Sequence, residues 1–246
     1  MELDGGASWV EQVAWSPREP TLATAAGKYL RLWSANGQLR QSCLPVESTI
    51  TGLAWHDSGR LIATSCYGGI RLFTPESSQR VTSFDWKGSM IALSWSPTGQ
   101  YIAAGCQEAS VHVWNALNGE DMEMSGYGTK VRELAWDSTG RFLATGGSTM
   151  PTVWDFSGEG PAGSRPRELD AHDAQVSALA FQRKRPILAS GDREGAIFVW
   201  DVSKVRAPLT RVRQGTAVSC LSWSPDDQWL AVASASGEVT VCNPSK

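Results

Sequence analysis

One segment recurs six times along this chain, and the recurrence limits what it can fold into. Aligned on "VAWSP" at 13–17, related stretches end at Gly59 ("LAWHDSG"), Gly99 ("LSWSPTG"), Gly140 ("LAWDSTG"), Arg185 ("LAFQRKR") and Asp227 ("LSWSPDD"). The first aromatic anchors are Trp15, Trp55, Trp95, Trp136, Phe181 and Trp223, spaced 40, 40, 41, 45 and 42 residues apart. A second anchor follows each after 18 or 19 residues: Trp33, Phe73, Trp114, Trp154, Trp200 and Cys242. Between the anchors stand a turn, a run of small and apolar residues such as "FLATGG", and an alternating stretch such as "SVHVW". A period of this length marks a repeat architecture, in which each unit buries its apolar faces only against its neighbours.

Composition narrows the functional classes. The 246 residues are 41% hydrophobic and carry a net charge of −3, so the chain can build a core and shows no basic footprint for nucleic acid. No run approaches the ~18 apolar residues of a membrane span, and "MELDGGASWV" lacks the basic and apolar regions of a signal peptide. Five cysteines with no CxxC pair fit a reducing, cytoplasmic compartment better than a disulfide framework. Tryptophan is the outlier, and nine of the 12 occupy anchor positions. Burying ~150–250 Å² apiece at ~25 cal/mol/Å² is worth ~4–6 kcal/mol each before entropy, an upper bound.

Four short alternating strands per period of about forty residues describe one blade of a β-propeller. Here the chain resembles the WD-repeat family, over essentially its whole length. Trp154-Asp155 and Trp200-Asp201 carry the family's Trp-Asp pair, and the best-matching repeat is "LDAHDAQVSALAFQRKRPILASGDREGAIFVWD" (169–201). The resemblance implies an all-β fold of six four-stranded antiparallel blades in a single domain, 1–246. The repeats run approximately 3–40, 41–80, 81–120, 121–165, 166–208 and 209–246. It also implies a hydrogen-bond tetrad of His172, Ser190, Glu194 and Trp200, with Glu194 departing from the usual Asp. The histidine position holds Gly6, Val46, Trp86, Tyr127 and Gln214 elsewhere, so packing alone must hold those blades. Two closures fit: a six-bladed ring in which Leu3–Gly6 adds the outer strand missing after "EVTVCNPSK", or a seven-bladed ring lacking about one blade. The latter would expose apolar faces and tend to associate.

Catalytic signatures are lacking. No GxSxG, HExxH or GxxxxGK occurs. Gly158-x-Gly160-x-x-Gly163 formally matches a dinucleotide fingerprint, but Pro161 and the absence of helical periodicity assign it to a loop between the third and fourth strands of its blade. His56 takes the serine place of a Trp-Ser-Pro turn, and His112 alternates within a strand. Cys66 and Cys106 occupy equivalent positions of adjacent repeats without a third or fourth ligand, so they read as small apolar residues, and no metal or cofactor is expected.

Surface is what remains. By the resemblance, partners dock on the face ringed by the turns before the first strand and between the second and third. That assigns Trp9, Tyr67, Trp86, Glu108, Lys130 and Arg193, rich in the aromatic and arginine residues that dominate binding hot spots. The expected function is a non-enzymatic scaffold for a protein or peptide, with neither nucleic acid nor membrane as partner. Alternatives are an enzyme with its site in the central mouth and a structural subunit of a larger assembly. "YGTKVRELAWDSTGRFLATGG" is also similar to bacterial WD-repeat proteins encoded beside CobW-type GTPases, which would link the chain to metal homeostasis.

Overall fold

The computed structural model describes residues 2–7, 9–158, 160–204 and 207–244. The chain divides into two compact units, Met1–Ser125 and Gly126–Lys246. Among the described residues every helical or extended element is a β-strand, and all pairings are antiparallel.

The first unit opens with a sheet ordered β1 (Gln12–Trp15), β2 (Thr21–Ala26), β3 (Tyr29–Ser34) and β4 (Leu39–Ser42). Its second sheet has six strands: β5 (Gly52–Trp55), β6 (Ile62–Phe73), β7 (Arg80–Trp95), β8 (Tyr101–Cys106), β9 (Val111–Asn115) and β10 (Asp121–Met124). The second unit holds β11 (Leu134–Trp136), β12 (Phe142–Thr145), β13 (Thr152–Asp155) and β14 (Arg167–Glu168) in one sheet. A second contains β15 (Val176–Phe181), β16 (Ile187–Asp192), β17 (Ala196–Asp201) and β18 (Thr210–Arg213). A third contains only β19 (Val218–Trp223), β20 (Leu230–Ser234) and β21 (Val239–Cys242).

The expectation of six separate four-stranded blades is therefore corrected to five sheets. The second and third repeats share one sheet because β7 runs unbroken for 16 residues, pairing with β6 through its first part and with β8 through its last. Within β6 the chain doubles back at Gly68 and Gly69 (φ 98° and 122°), bringing the Thr64 hydroxyl to the Arg71 carbonyl at 3.3 Å. A Cβ on Gly69 would lie 2.0 Å from the Phe84 carbonyl oxygen, so only glycine allows this approach. Leu3–Gly6 forms no strand. Asp4 instead caps Gly6 N–H at 2.8 Å and pairs with Arg31 at 3.5 Å. The loop at 157–166 carries no strand, and its three motif glycines all have positive φ, with Glu159 outside the described residues.

One packing rule joins neighbouring repeats in each unit. Two apolar residues on the third strand of a repeat pack on three apolar residues at the start of the next. Leu30 and Leu32 meet Ile50, Leu53 and Trp55. Ile70 and Leu72 likewise meet Met90, Leu93 and Trp95, and in the second unit Ile197 and Val199 meet Val218, Leu221 and Trp223. An indole staple accompanies the contact. Trp55, Trp95 and Trp223 donate Nε1–H to the carbonyls of Ala14, Ala54 and Ala180 at 3.0, 3.3 and 3.0 Å.

The anchors were expected to form core, and most do: Trp33, Trp95, Trp114, Trp154, Trp200 and Trp223 are buried. Trp15 departs from them. It is 56% exposed, together with Val13 at 64% and Val10 at 48%. At the other end of the chain Val239 and Val241 are 69% and 58% exposed, while their counterparts Ile197 and Val199 are buried.

Candidate partner-binding surface

The sites grow out of how each repeat fills the position just before its first strand. In the fifth repeat His172 lies in that position with its side chain fully buried. Its Nδ1 is 2.8 Å from Asp192 Oδ2 and its Nε2 is 2.7 Å from Ser190 Oγ. Trp200 donates Nε1–H to the same Ser190 oxygen at 2.9 Å. The Asp192 carboxylate can only accept, so Nδ1 carries the hydrogen, and Nε2 of the neutral ring accepts the Ser190 O–H while the same oxygen accepts the indole N–H. That is the neutral tautomer, and burial accordingly lowers the His172 pKa against the opposing pull of Asp192. The acid is Asp192 and not the expected Glu194. Asp192 is 1% exposed, and its other oxygen caps the N–H groups of Glu194 and Ala196, both at 2.9 Å. Glu194 faces solvent, 3.9 Å from Arg213. The turn explains the exchange: an aspartate that opens it can reach two backbone amides and the histidine together.

The first three repeats compensate from the third strand, two residues before the second anchor. In the first unit Arg31 lays its guanidinium where Gly6 leaves room, within 2.7 Å of where a Cβ would stand. Arg71, its side chain 6% exposed, pairs with Glu47 and Asp85, each at 3.0 Å. Burial opposes ionisation of Glu47, but hydrogen bonds from Arg80 and Arg71 hold its carboxyl down at about 2. His112 stacks under Trp86 at 3.9 Å and bonds Asp121 through Nε2 at 2.7 Å. In the second unit the Tyr127 hydroxyl bonds Thr145 at 2.9 Å and accepts Trp154 Nε1–H at 3.0 Å, taking over the role of the histidine. Packing alone was expected here, yet hydrogen bonds and ion pairs contribute as well.

In the first unit Trp9 and Tyr67 are exposed at the end of the strands where first strands begin and second strands finish. Glu108 is exposed but engaged, accepting the Ser89 N–H at 3.0 and 3.2 Å, which fixes a turn. Trp86 is half-buried against His112 and offers only part of its ring. In the second unit Arg193 is exposed and Lys130 is half-buried. Burial raises the Glu133 pKa, with Arg193 and Arg132 opposing it. The Glu133 Oε2 is buried and has no hydrogen-bond partner among the described residues.

The chemistry of the remaining candidates is structural. His56 Nδ1 accepts Ser58 N–H at 3.0 Å, the turn-capping role that Ser16 plays for Arg18 at 3.3 Å. Cys66 and Cys106 are buried and burial raises both thiol pKa values, away from the thiolate that a metal requires. Among the described residues no cluster of three or more His, Cys, Asp or Glu side chains can hold a metal ion. Sequence reasoning missed Val10, Val13 and Trp15 as surface, because their buried counterparts have the same residue types.

Similarity to known proteins agrees with this architecture. The WD domain, G-beta repeat profile matches the chain in six segments: 1–34, 39–74, 77–115, 121–155, 163–201 and 208–243. The WD repeat-containing protein slp1 of Schizosaccharomyces pombe is 29% identical over 128 residues, 50% of this chain and 25% of that protein. The anaphase-promoting complex subunit cdh1 of Dictyostelium discoideum is 32% identical over 133 residues, covering 50% and 16%. The histone-binding protein MSI1 of Saccharomyces cerevisiae is 32% identical over 111 residues, covering 43% and 26%. The chain thus spans about a quarter or less of these relatives' length.

Proposed function

Because the chain belongs to the WD domain, G-beta repeat family, we propose that it is a β-propeller scaffold that docks a protein or peptide, not an enzyme. The observation that carries this reading is the exposure of Trp9 and Tyr67, two large aromatics each held in water near a strand end. Aromatics fixed on a rigid frame lose little entropy on binding and are the residues from which hot spots are built. Taken by itself, the second unit offers Lys130 and Arg193, half-buried and exposed, and these favour a partner with exposed carboxylates. The similarity to cdh1, a subunit of the anaphase-promoting complex, and to the histone-binding MSI1 supports docking within assemblies. The five cysteines are all free, which supports work in the cytoplasm. A partner in bacterial metal handling rests on sequence resemblance alone.

The test is a pull-down from native lysate with the purified chain beside a variant carrying Trp9→Ala, Tyr67→Ala, Lys130→Glu and Arg193→Glu. Proteins retained by the parent and lost by the variant support this face. Equal retention by both baits refutes the choice of face. A folded bait that retains nothing shifts weight to an enzyme.

A further inference from the structure

The fourth strand of the third repeat departs from the others in charge. Of the five fourth strands described, four carry an arginine that meets a partner within the chain. Arg40 donates to Thr21 Oγ1 at 2.9 Å, Arg80 pairs with Glu47, and Arg167 and Arg211 lie over the Phe142 and Phe198 rings, each at 5.3 Å. In β10 the sequence is "DMEM": no basic residue is present, and Asp121 and Glu123 stand on the same side of the strand. A groove lies beside this strand and beside its counterpart in the second repeat. The second repeat's groove holds about 290 Å³ and is lined by Leu44, Pro45, Glu47, Phe73 and Arg80. The third repeat's groove holds about 470 Å³, with Ser83, Phe84, Asp85, Trp114, Asn118 and Asp121 in its lining. Register makes the two equivalent, since Phe73 opposes Arg80 as Trp114 opposes Asp121. The second repeat thus supplies its groove with a cation, and the third puts a carboxylate in the same place.

Nothing that Asp121 meets inside the chain neutralises it. Its Oδ2 accepts the His112 Nε2–H at 2.7 Å, but burial lowers the His112 pKa and leaves the ring uncharged at neutral pH. Asp85 pairs with Arg71 at 3.0 Å, and Arg71 also holds Glu47. Arg71 and Arg80 therefore balance Glu47 and Asp85 between them, and among the described residues no lysine or arginine pairs with Asp121. The side chains of Asp85 and Asp121 are 80% and 48% exposed, so a group arriving from solvent reaches both. An aromatic floor beside an unanswered carboxylate suits a cation on an aliphatic stem. Guanidinium suits it better than ammonium, because five donors in one plane can serve two carboxylates while the stem lies on the rings. We propose that this groove binds an arginine side chain of a partner peptide, its stem along Phe84 and Trp114 and its guanidinium against Asp121 and Asp85. The site contains none of Trp9, Tyr67, Lys130 and Arg193, so it and the docking face above stand or fall separately.

The experiment is an NMR titration of the nitrogen-labelled full chain with acetyl-Gly-Gly-Arg-Gly-Gly-amide, to about 20 mM at low salt. The same peptide with Lys or Glu at its centre, and calcium chloride, are run beside it. The arginine peptide should shift the amides of Thr82–Asp85 and Ala116–Asp121 and the Trp114 indole N–H, half-saturating at about 1–10 mM. The lysine peptide should bind at least about twofold more weakly, and the glutamate peptide should leave these signals in place. D121N keeps an oxygen for His112 and should weaken the arginine peptide at least about threefold. D121R gives the groove its own cation, as Arg80 does in the second repeat, and should abolish binding. Signals that do not move, an equal response to the glutamate peptide, or an affinity unchanged in D121N overturns the proposal. A lysine peptide that binds as tightly overturns the choice of guanidinium. Calcium moving these signals where arginine does not would mark a metal site, and shifts on concentrating the chain alone would mark a contact between copies; either overturns it.

Discussion

The fifth and third repeats each bury a histidine beside a carboxylate, and they arrive there by opposite routes. In the fifth, His172 comes from the loop before the first strand, and its carboxylate, Asp192, is as buried as the imidazole. In the third, that position is filled by Trp86, and His112 rises from the third strand to meet it. Its carboxylate, Asp121, is half in water, with 48% of the side chain exposed. Ala104 stands where Ser190 stands, so no hydroxyl links histidine to tryptophan; His112 instead tilts against Trp114 at 4.4 Å. The fifth repeat is locked by directional bonds and the third by stacked rings. A closed hydrogen-bond chain tolerates no missing member, whereas a stack tolerates any flat ring.

The largest effect should come from Asp192→Ala. It strands a buried imidazole N–H and two backbone amides, and denaturant unfolding should show a loss of ~3–5 kcal/mol. Next is a matched pair of ring substitutions. His172→Phe leaves Asp192 Oδ2 and the Ser190 hydroxyl hydrogen without the imidazole that meets them and should cost ~2–3 kcal/mol. His112→Phe keeps the ring under Trp86, removes a buried Nδ1 that has no partner, and should cost less than ~1 kcal/mol. Equal costs for the two would erase the contrast.

Acid should sharpen it. Burial lowers the pKa of both histidines below the ordinary 6.5, so the unfolded chain takes up protons before the folded one does. Stability therefore falls as pH drops below about 6.5, by up to ~1.4 kcal/mol per pH unit for each histidine until the folded group titrates. His112→Phe should remove one share of that slope in a pH series of unfolding midpoints and leave the other. Glu47 acts lower: held at about 2 against an ordinary 4.5, its contribution is present above 4.5 and is lost as pH falls towards 2. The smallest effect belongs to Glu194→Gln, within ~0.5 kcal/mol, since an exposed pair 3.9 Å from Arg213 is worth little. A loss comparable to that of Asp192→Ala would return the acid role to Glu194.

The repeat, the strands and their turns were legible because anchor aromatics and turn residues declare their own spacing. Asp227 illustrates how local the signal is. It holds positive φ (65°) where Gly59, Gly99 and Gly140 hold 70°, 71° and 73°, and its carboxylate is occupied by the amides of Arg183 and Lys184. Less legible was anything decided by side-chain reach. Asp192 and Glu194 differ by two positions in one turn, and only the turn's path reveals which faces inward. Arg31, Arg71 and His112 look like ordinary alternating strand residues until the void or ring each one meets is seen. The exposure of Val13 and Trp15 could not be read at all, since "VAWSP" and the "LSWSP" stretches with their buried tryptophans differ by two conservative changes.

The unbroken β7 has a consequence for how the molecule comes apart. In a stack of repeats each unit can in principle melt separately, with only nearest-neighbour coupling to hold it. Here Arg80–Trp95 is covalently and conformationally one strand that serves two repeats, laddered to β6 on one stretch and to β8 on the next. Opening either repeat frays the backbone of the other, so the two share a single opening event. Amide exchange along Ile62–Cys106 should then proceed at a common free energy, a cooperative block between a first and a fourth repeat that exchange on their own terms.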